Sequence, residues 1–184
     1  MEEKFEVLID PKKMNQQAAI YMIAIALVSV ALYYSIWGFK WDLSIMAFLK
    51  FYLFNLIGVV IHELIHGIAF IVIGKAKLSD VKFGVIWKQL IPYAHCKVPL
   101  SIRAYKIALL LPVIITGFIP LIVGLSINSL LTVLVSAFLI GGGIGDWIMY
   151  LKLRSFTNNA VVIDHPSEVG CIVEISNTDT SLAK

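Results

Sequence analysis

Between Ile107 and Leu151 the chain runs 45 residues with one formal charge, Asp146. A single helix of that length would extend ~68 Å, about twice the hydrocarbon thickness of a bilayer, so the segment must turn back on itself. Gly124 to Ser129, with Asn128 among them, is the expected turn. Two other runs share this character. Met14 to Phe39 is 26 residues without a charge, and Phe51 to Gly74 is 24 residues in which Glu63 is the only formal charge. Each is long enough to cross a membrane. The first is too long for a signal-peptide core, and Trp37-Gly38-Phe39 is no small-residue cleavage site, so it reads as an anchor. With 59% hydrophobic and 15% charged residues and a mean hydropathy of +0.88, the composition excludes an ordinary soluble domain.

The expected fold is therefore an all-α membrane protein, a four-span helical bundle with spans at about 16–37, 49–74, 105–125 and 129–151. A membrane-embedded domain would occupy residues 1–155 and a short cytoplasmic tail 156–184. Basic residues orient it. Segments 1–15, 75–106 and 152–184 carry 3, 7 and 3 Lys or Arg, against only Lys40 and Lys50 in the other loops. That split, 13 of 15, places both termini in the cytoplasm of a cell membrane. The net charge of +3 then reads as a basic skirt against anionic lipid, not as a nucleic-acid site. Cys96 and Cys171 both fall on the reducing side, so no disulfide is expected.

Outside the spans, residues 78–100 are rich in Val, Ile, Phe, Trp and Tyr but broken by Gly84, Pro92 and Pro99. That pattern predicts an extended hairpin at the membrane surface or dipping into it. Two β-like pieces, Ala160 to Ile163 and Cys171 to Ile175, flank a turn over Asp164 to Gly170, and the last residues are expected to fray.

Chemistry concentrates in the second span, where residues 62–66 read His-Glu-Leu-Ile-His. On a helix, His62 and His66 lie one turn apart on one face and can reach a single metal ion. Glu63 lies beside that face, placed to take a proton from a water nucleophile. A carboxylate in hydrocarbon costs roughly 2.5–3.5 kcal/mol on insertion scales, so one retained there usually has a task. A zinc hydrolase needs a third protein ligand. Asp146, the only charge in the fourth span, is the candidate. It follows Gly141-Gly142-Gly143-Ile144-Gly145, glycines that permit a close helix approach or an opened backbone. Counted from the nearest lysines, His66 lies about 14 Å deep and Asp146 about 9 Å, a gap that local unwinding at the glycines can close. Asn55, Thr116 and Ser136 are the polar groups available to orient the imidazoles.

The arrangement of His62-Glu63-x-x-His66, an extended segment, a further span and Gly145-Asp146 resembles the site-2 protease group of intramembrane zinc metalloproteases. More closely, the chain resembles a small bacterial membrane family of unknown function described as putative zincin peptidases. The resemblance runs from about Phe51 to Gly170 and includes Pro92-Tyr93-Ala94-His95-Cys96-Lys97 and Asp164-His165-Pro166 with Gly170. Where site-2 proteases carry Asn-Pro…Leu-Asp-Gly, this chain has Gly-Asp-Trp. The resemblance implies a Zn2+ cofactor, a water nucleophile and cleavage of peptide bonds in or near the membrane.

The remaining histidines have plainer readings. His95 beside Cys96 is not a four-ligand set and reads as structural or surface histidine. His165 reads as a turn stabiliser, with a ligand role in place of Asp146 as the alternative. The leading function is an intramembrane zinc metalloprotease acting on membrane-protein or membrane-segment peptides near the cytoplasmic side. The hairpin at 78–100 is a candidate for pairing with an extended substrate, or else an amphipathic flap on lipid. The other function classes are a catalytically inactive zinc-binding partner protein and a metal carrier lined by His62, Glu63, His66 and Asp146.

Overall fold

The computed structural model describes residues 2–39, 44–88 and 90–176. Helix α1 (Pro11–Trp37) starts where Asp10 caps it. The Asp10 carboxylate accepts the amides of Lys12 at 2.9 Å and Lys13 at 3.2 Å, and Pro11 occupies the first turn, where an N–H has no helical partner. Helix α2 (Ile45–Val72) is capped in the same way by the Ser44 hydroxyl, which accepts from the Ala47 amide at 3.1 Å. Both helices leave many apolar side chains facing outward: Leu27, Val28 and Ile45 are 67%, 69% and 72% exposed. Contiguous outward-facing apolar surface on this scale is compatible with a membrane protein.

Helix α3 (Ile102–Pro112) continues through a π-helical segment (Val113–Phe118) into α4 (Ile119–Ser126). Pro120 has no N–H for the Thr116 carbonyl, and its ring would crowd that carbonyl. The turn before it widens, so that the amide of Ile119 bonds the carbonyl of Ile114, five residues back. The expected turn follows, with Asn128 at φ 59° and Ser129 capping α5 (Leu130–Gly142) through the Thr132 amide. Helix α6 (Ile144–Leu153) leaves α5 at a 42° bend.

Among the described residues, three helical stretches are thus long and apolar enough to cross a membrane, or four if the bent α5–α6 pair counts as one crossing. The continuous span expected at 129–151 is corrected to this broken pair, because the backbone turns at Gly143 between α5 and α6. Helix α1 packs along α5, and Gly141 is where they meet. A Cβ there would lie 2.4 Å from the Cα of Met22.

The all-α expectation is corrected too. The N-terminal segment forms β1 (Glu2–Leu8). The 78–100 region forms the antiparallel hairpin β2 (Val81–Ile86) and β3 (Ile91–Cys96), as expected. Short β4 (Leu100–Ser101), β5 (Val161–Asp164) and β6 (Gly170–Ser176) follow, and β1, β6, β5 and β4 make one antiparallel sheet in that order. Its register sets Phe5 opposite Val173, Val173 opposite Val162, and Val162 opposite Leu100. Alternate residues Cys171 and Val173 point into a core with Leu100, Ile102, Leu153 and Val162, all essentially without exposure. Each such apolar side chain contributes about 1.5–3 kcal/mol. The sheet ties the N-terminus, the α2–α3 connection and the tail together at one end of the helices. A boundary at residue 155 therefore separates strands that pair with one another. The expected fraying of the last residues lies outside the described residues.

Candidate metal centre

Helix α2 sets the first two imidazoles by periodicity alone. The rings of His62 and His66 lie 5.0 Å apart between centroids, inclined by 72°, and are 7% and 6% exposed. Ligand-type atoms of His62, Glu63 and His66 lie within 4.8 Å of one another. Asp146 arrives from the other side in the first turn of α6, where the positive end of the helix dipole favours a carboxylate. Its two oxygens divide between the histidines. Oδ2 lies 3.1 Å from Nε2 of His62, and Oδ1 lies 3.3 Å from Nε2 of His66. The break at Gly143 makes this approach possible. A Cβ there would lie 2.7 Å from Cγ2 of Val113, 3.3 Å from Cε1 of His62 and 3.4 Å from Oδ2 of Asp146.

The opposite ring nitrogens are engaged elsewhere. Nδ1 of His66 is 2.9 Å from the carbonyl of Ala108, an acceptor only. Pro112, four residues on, has no N–H to offer that carbonyl, which leaves it available to the imidazole. Nδ1 of His62 is 3.2 Å from Oγ1 of Thr116, and the Thr116 hydroxyl donates to the Pro112 carbonyl at 2.8 Å. With its one proton spent, that oxygen accepts from Nδ1–H of His62. Nδ1 of each ring therefore carries a hydrogen, assigned by the hydrogen-bond network, and Nε2 of each faces the Asp146 carboxylate.

Lone pairs facing carboxylate oxygens repel unless a proton or a metal cation lies between them. Bonds of 2.0–2.2 Å to a tetrahedral zinc imply ligand–ligand edges of roughly 3.3–3.5 Å, against the observed 3.1 and 3.3 Å. Two neutral imidazoles and a carboxylate are also the donor set that suits zinc. His62, His66 and Asp146 fit the ion. Glu63 stands beside them, on the side of Ala94 in β3.

These groups share a cavity of about 820 Å³, walled by α1 through Asn15 and Met22, by β3 through Tyr93 and His95, and by the Asp164–Gly170 turn. His165 lines the cavity but is not among the ligand atoms. Its Nδ1 accepts the amides of Ser167 at 3.3 Å and Glu168 at 2.9 Å, which makes it the cap of its own turn. His95 sits 3.9 Å from Asp164, too far for a hydrogen bond. Asp164 instead accepts the Cys96 amide at 2.6 Å and the Tyr105 hydroxyl, clasping the hairpin to α3 and β5. Burial holds its carboxyl above the usual carboxylate range, while those two hydrogen bonds pull the other way. Of the three polar groups considered for orienting the imidazoles, Thr116 does so. Asn55 donates to Phe51 and Ser136 to Thr132, each within its own helix. The Ala108 carbonyl was not anticipated, although a proline four residues beyond a buried position is the signal for it.

A largely helical, strongly apolar chain with two buried histidines and two carboxylates converging on a cavity has the composition of a metal-dependent hydrolase centre. The chain matches the family model described as "Putative zincin peptidase" over residues 55–161, more than half its length, and it belongs to that family. The matched range contains all four site residues and β2–β3, but not β1 or β6. No curated protein and no solved structure matches the chain.

Proposed function

We propose that this chain is an intramembrane zinc metallopeptidase of the His-Glu-x-x-His type, related in plan to site-2 proteases, that hydrolyses membrane-protein substrates near their cytoplasmic ends. One observation carries the reading: each oxygen of Asp146 faces the free nitrogen of a histidine whose other nitrogen is already engaged. Bound there, zinc would supply Lewis acidity, making water a stronger acid and polarising a carbonyl. His62, His66 and Asp146 would hold the ion, and Thr116 and the Ala108 carbonyl orient the two rings through Nδ1. Glu63 accepts the proton of the attacking water and returns it to the leaving amine. The apolar helices restrict bulk water to the cavity.

Strand β3 supplies the means of holding an extended peptide. The amide of Cys96 donates to Asp164, away from β2, and positions 92 and 94 share its phase in the antiparallel register, so 92, 94 and 96 form the edge facing away from β2 and toward the site. A substrate strand added along that edge passes beside Glu63. A regular helix hides its peptide bonds in its own hydrogen bonds. Suitable substrates are therefore single-span or tail-anchored segments in which Gly, Pro or Asn weakens the helix close to the cytoplasmic face.

Purified protein in liposomes should cleave such segments with zinc present, and stop with a chelator or with Glu63→Gln. Comparing membrane-protein fragments from cells carrying wild type and Glu63→Gln should reveal the natural substrate. If the protein holds zinc and neither assay shows Glu63-dependent cleavage, the peptidase reading fails and a binding or metal-carrier role replaces it.

A further inference from the structure

The hairpin tip carries side chains that water does not explain. Trp87 is 78% exposed and Leu90 73% exposed, and Phe83 and Val85 on the same strand are 43% and 39% exposed. Leu90 also adopts φ 54°, a left-handed conformation in which glycine or asparagine is the usual occupant. A bulky apolar side chain is therefore kept where the backbone disfavours it and where the described residues leave most of it exposed. The location supplies the reason. The tip crosses from α2 toward the first turns of α1, and Lys12, Asn15, Gln16 and Ala19 of α1 share a recess with Lys88 and Leu90. Lys12 and Lys13 are the last charges before the 26-residue uncharged run of α1, so this is the level at which a bilayer surface would meet the helix. At that level, exposed tryptophan and leucine lie at the boundary of headgroups and acyl chains, and lysines lie among phosphates.

We propose that the β2–β3 tip is docked on the anionic surface of the bilayer holding the helices, with Trp87 and Leu90 inserted and Lys12 and Lys88 on lipid phosphates. This rests on the membrane-spanning reading of α1 and α2. The hairpin then spans from α2 to α1 across one mouth of the cavity, held at one end by the protein and at the other by lipid. Charge complementarity selects anionic over zwitterionic lipid, with a preference of about fivefold for each lysine at the surface.

Tryptophan fluorescence in lipid nanodiscs tests this directly. The emission of Trp87, taken as the difference between wild type and Trp87→Phe, should be quenched by lipids labelled near the headgroup and protected from aqueous iodide. A nitroxide on Leu90→Cys gives a second reading, since the native Cys96 and Cys171 are buried. Labelled anionic lipid should quench Trp87 more strongly than labelled zwitterionic lipid at equal mole fraction. Lys12→Gln with Lys88→Gln should abolish that difference. Quenching of Trp87 by iodide and not by lipid, with Trp147 still quenched by lipid, would overturn the docking while leaving the spans intact. Equal quenching by both lipid types would overturn the anionic selection. If no tryptophan responds to lipid, the spanning reading itself fails.

Discussion

The carbonyl of Ala108 accepts Nδ1–H of His66 at 2.9 Å, in the place where a helical amide from residue 112 would otherwise bond. Proline at 112 leaves that acceptor open, and the same proline's own carbonyl takes the Thr116 hydroxyl at 2.8 Å. One residue thereby conditions the orientation of both imidazoles. Partners of this kind typically change metal affinity 10–100-fold.

Thr116→Val, which keeps the shape and removes the acceptor, should therefore weaken zinc binding about 10–100-fold. Pro112→Ala restores an amide that competes with His66 for the Ala108 carbonyl, and it should weaken zinc in the same direction despite the better helix propensity of alanine. Competition with a chromophoric chelator measures both. Unchanged affinity in Thr116→Val would show that the His62–Thr116 contact does not orient the ring.

Metal retention should divide the site residues. His62→Ala, His66→Ala and Asp146→Ala should each lower bound zinc, whereas Glu63→Gln should keep it and lose activity. Metal analysis of purified variants decides. Full occupancy in Asp146→Ala would remove it from the ligand set.

Two neighbouring glycines offer a paired test of the α5–α6 break. A Cβ at Gly143 meets Val113, His62 and Asp146, whereas one at Gly142 meets nothing within 4 Å. Gly143→Ala should weaken zinc binding. Gly142→Ala should leave it unchanged and stabilise the protein by up to about 1 kcal/mol through helix propensity. Equal metal affinity in the two variants would contradict the close packing at Gly143.

The two thiols should be inert in the folded protein. Burial, with a smaller contribution from Asp164, pushes the Cys171 thiol up to about 12 from 9.0, and burial raises Cys96 as well. A maleimide should label neither until the protein is unfolded. Because the folded pKa of Cys171 exceeds the unfolded one, the protonated thiol favours the fold fully below pH 9.0. That contribution is lost as pH rises toward about 12. Melting in Cys171→Ala should show a shallower alkaline decline than wild type.

Orientation is tested by labelling intact cells with a membrane-impermeant thiol reagent. Cysteines at Lys4 and Lys97 should resist it, and one at Ser44, at the other end of α2, should react. Because β1 and the tail strands form one sheet, labelling of Lys4→Cys without permeabilisation would reverse the whole molecule, not one segment.

Local information was enough for the long helices, the hairpin at 78–100 and the His62–Glu63–His66 cluster. Uninterrupted apolar runs and helical periodicity act over a few turns, and they need no partner to be read. The same holds for the turn at Asn128 and for His165 as a cap of its own turn. Strand β1 was not legible, because Phe5 and Val7 alternate with charges and become a strand only by pairing with Val173 and Cys171 far along the chain. The break at Gly143 was only half legible: glycines permit it, but packing against Val113 and His62 makes it necessary. Sequence alone therefore named Asp146 as the candidate third ligand, with His165 as the alternative. The pairing of each of its oxygens with one Nε2, and the choice of Thr116 over Asn55 and Ser136, were decided by how α3, the π-helical segment and α6 pack against α2. Those distances depend on side chains brought together from separate helices, and no local pattern encodes them.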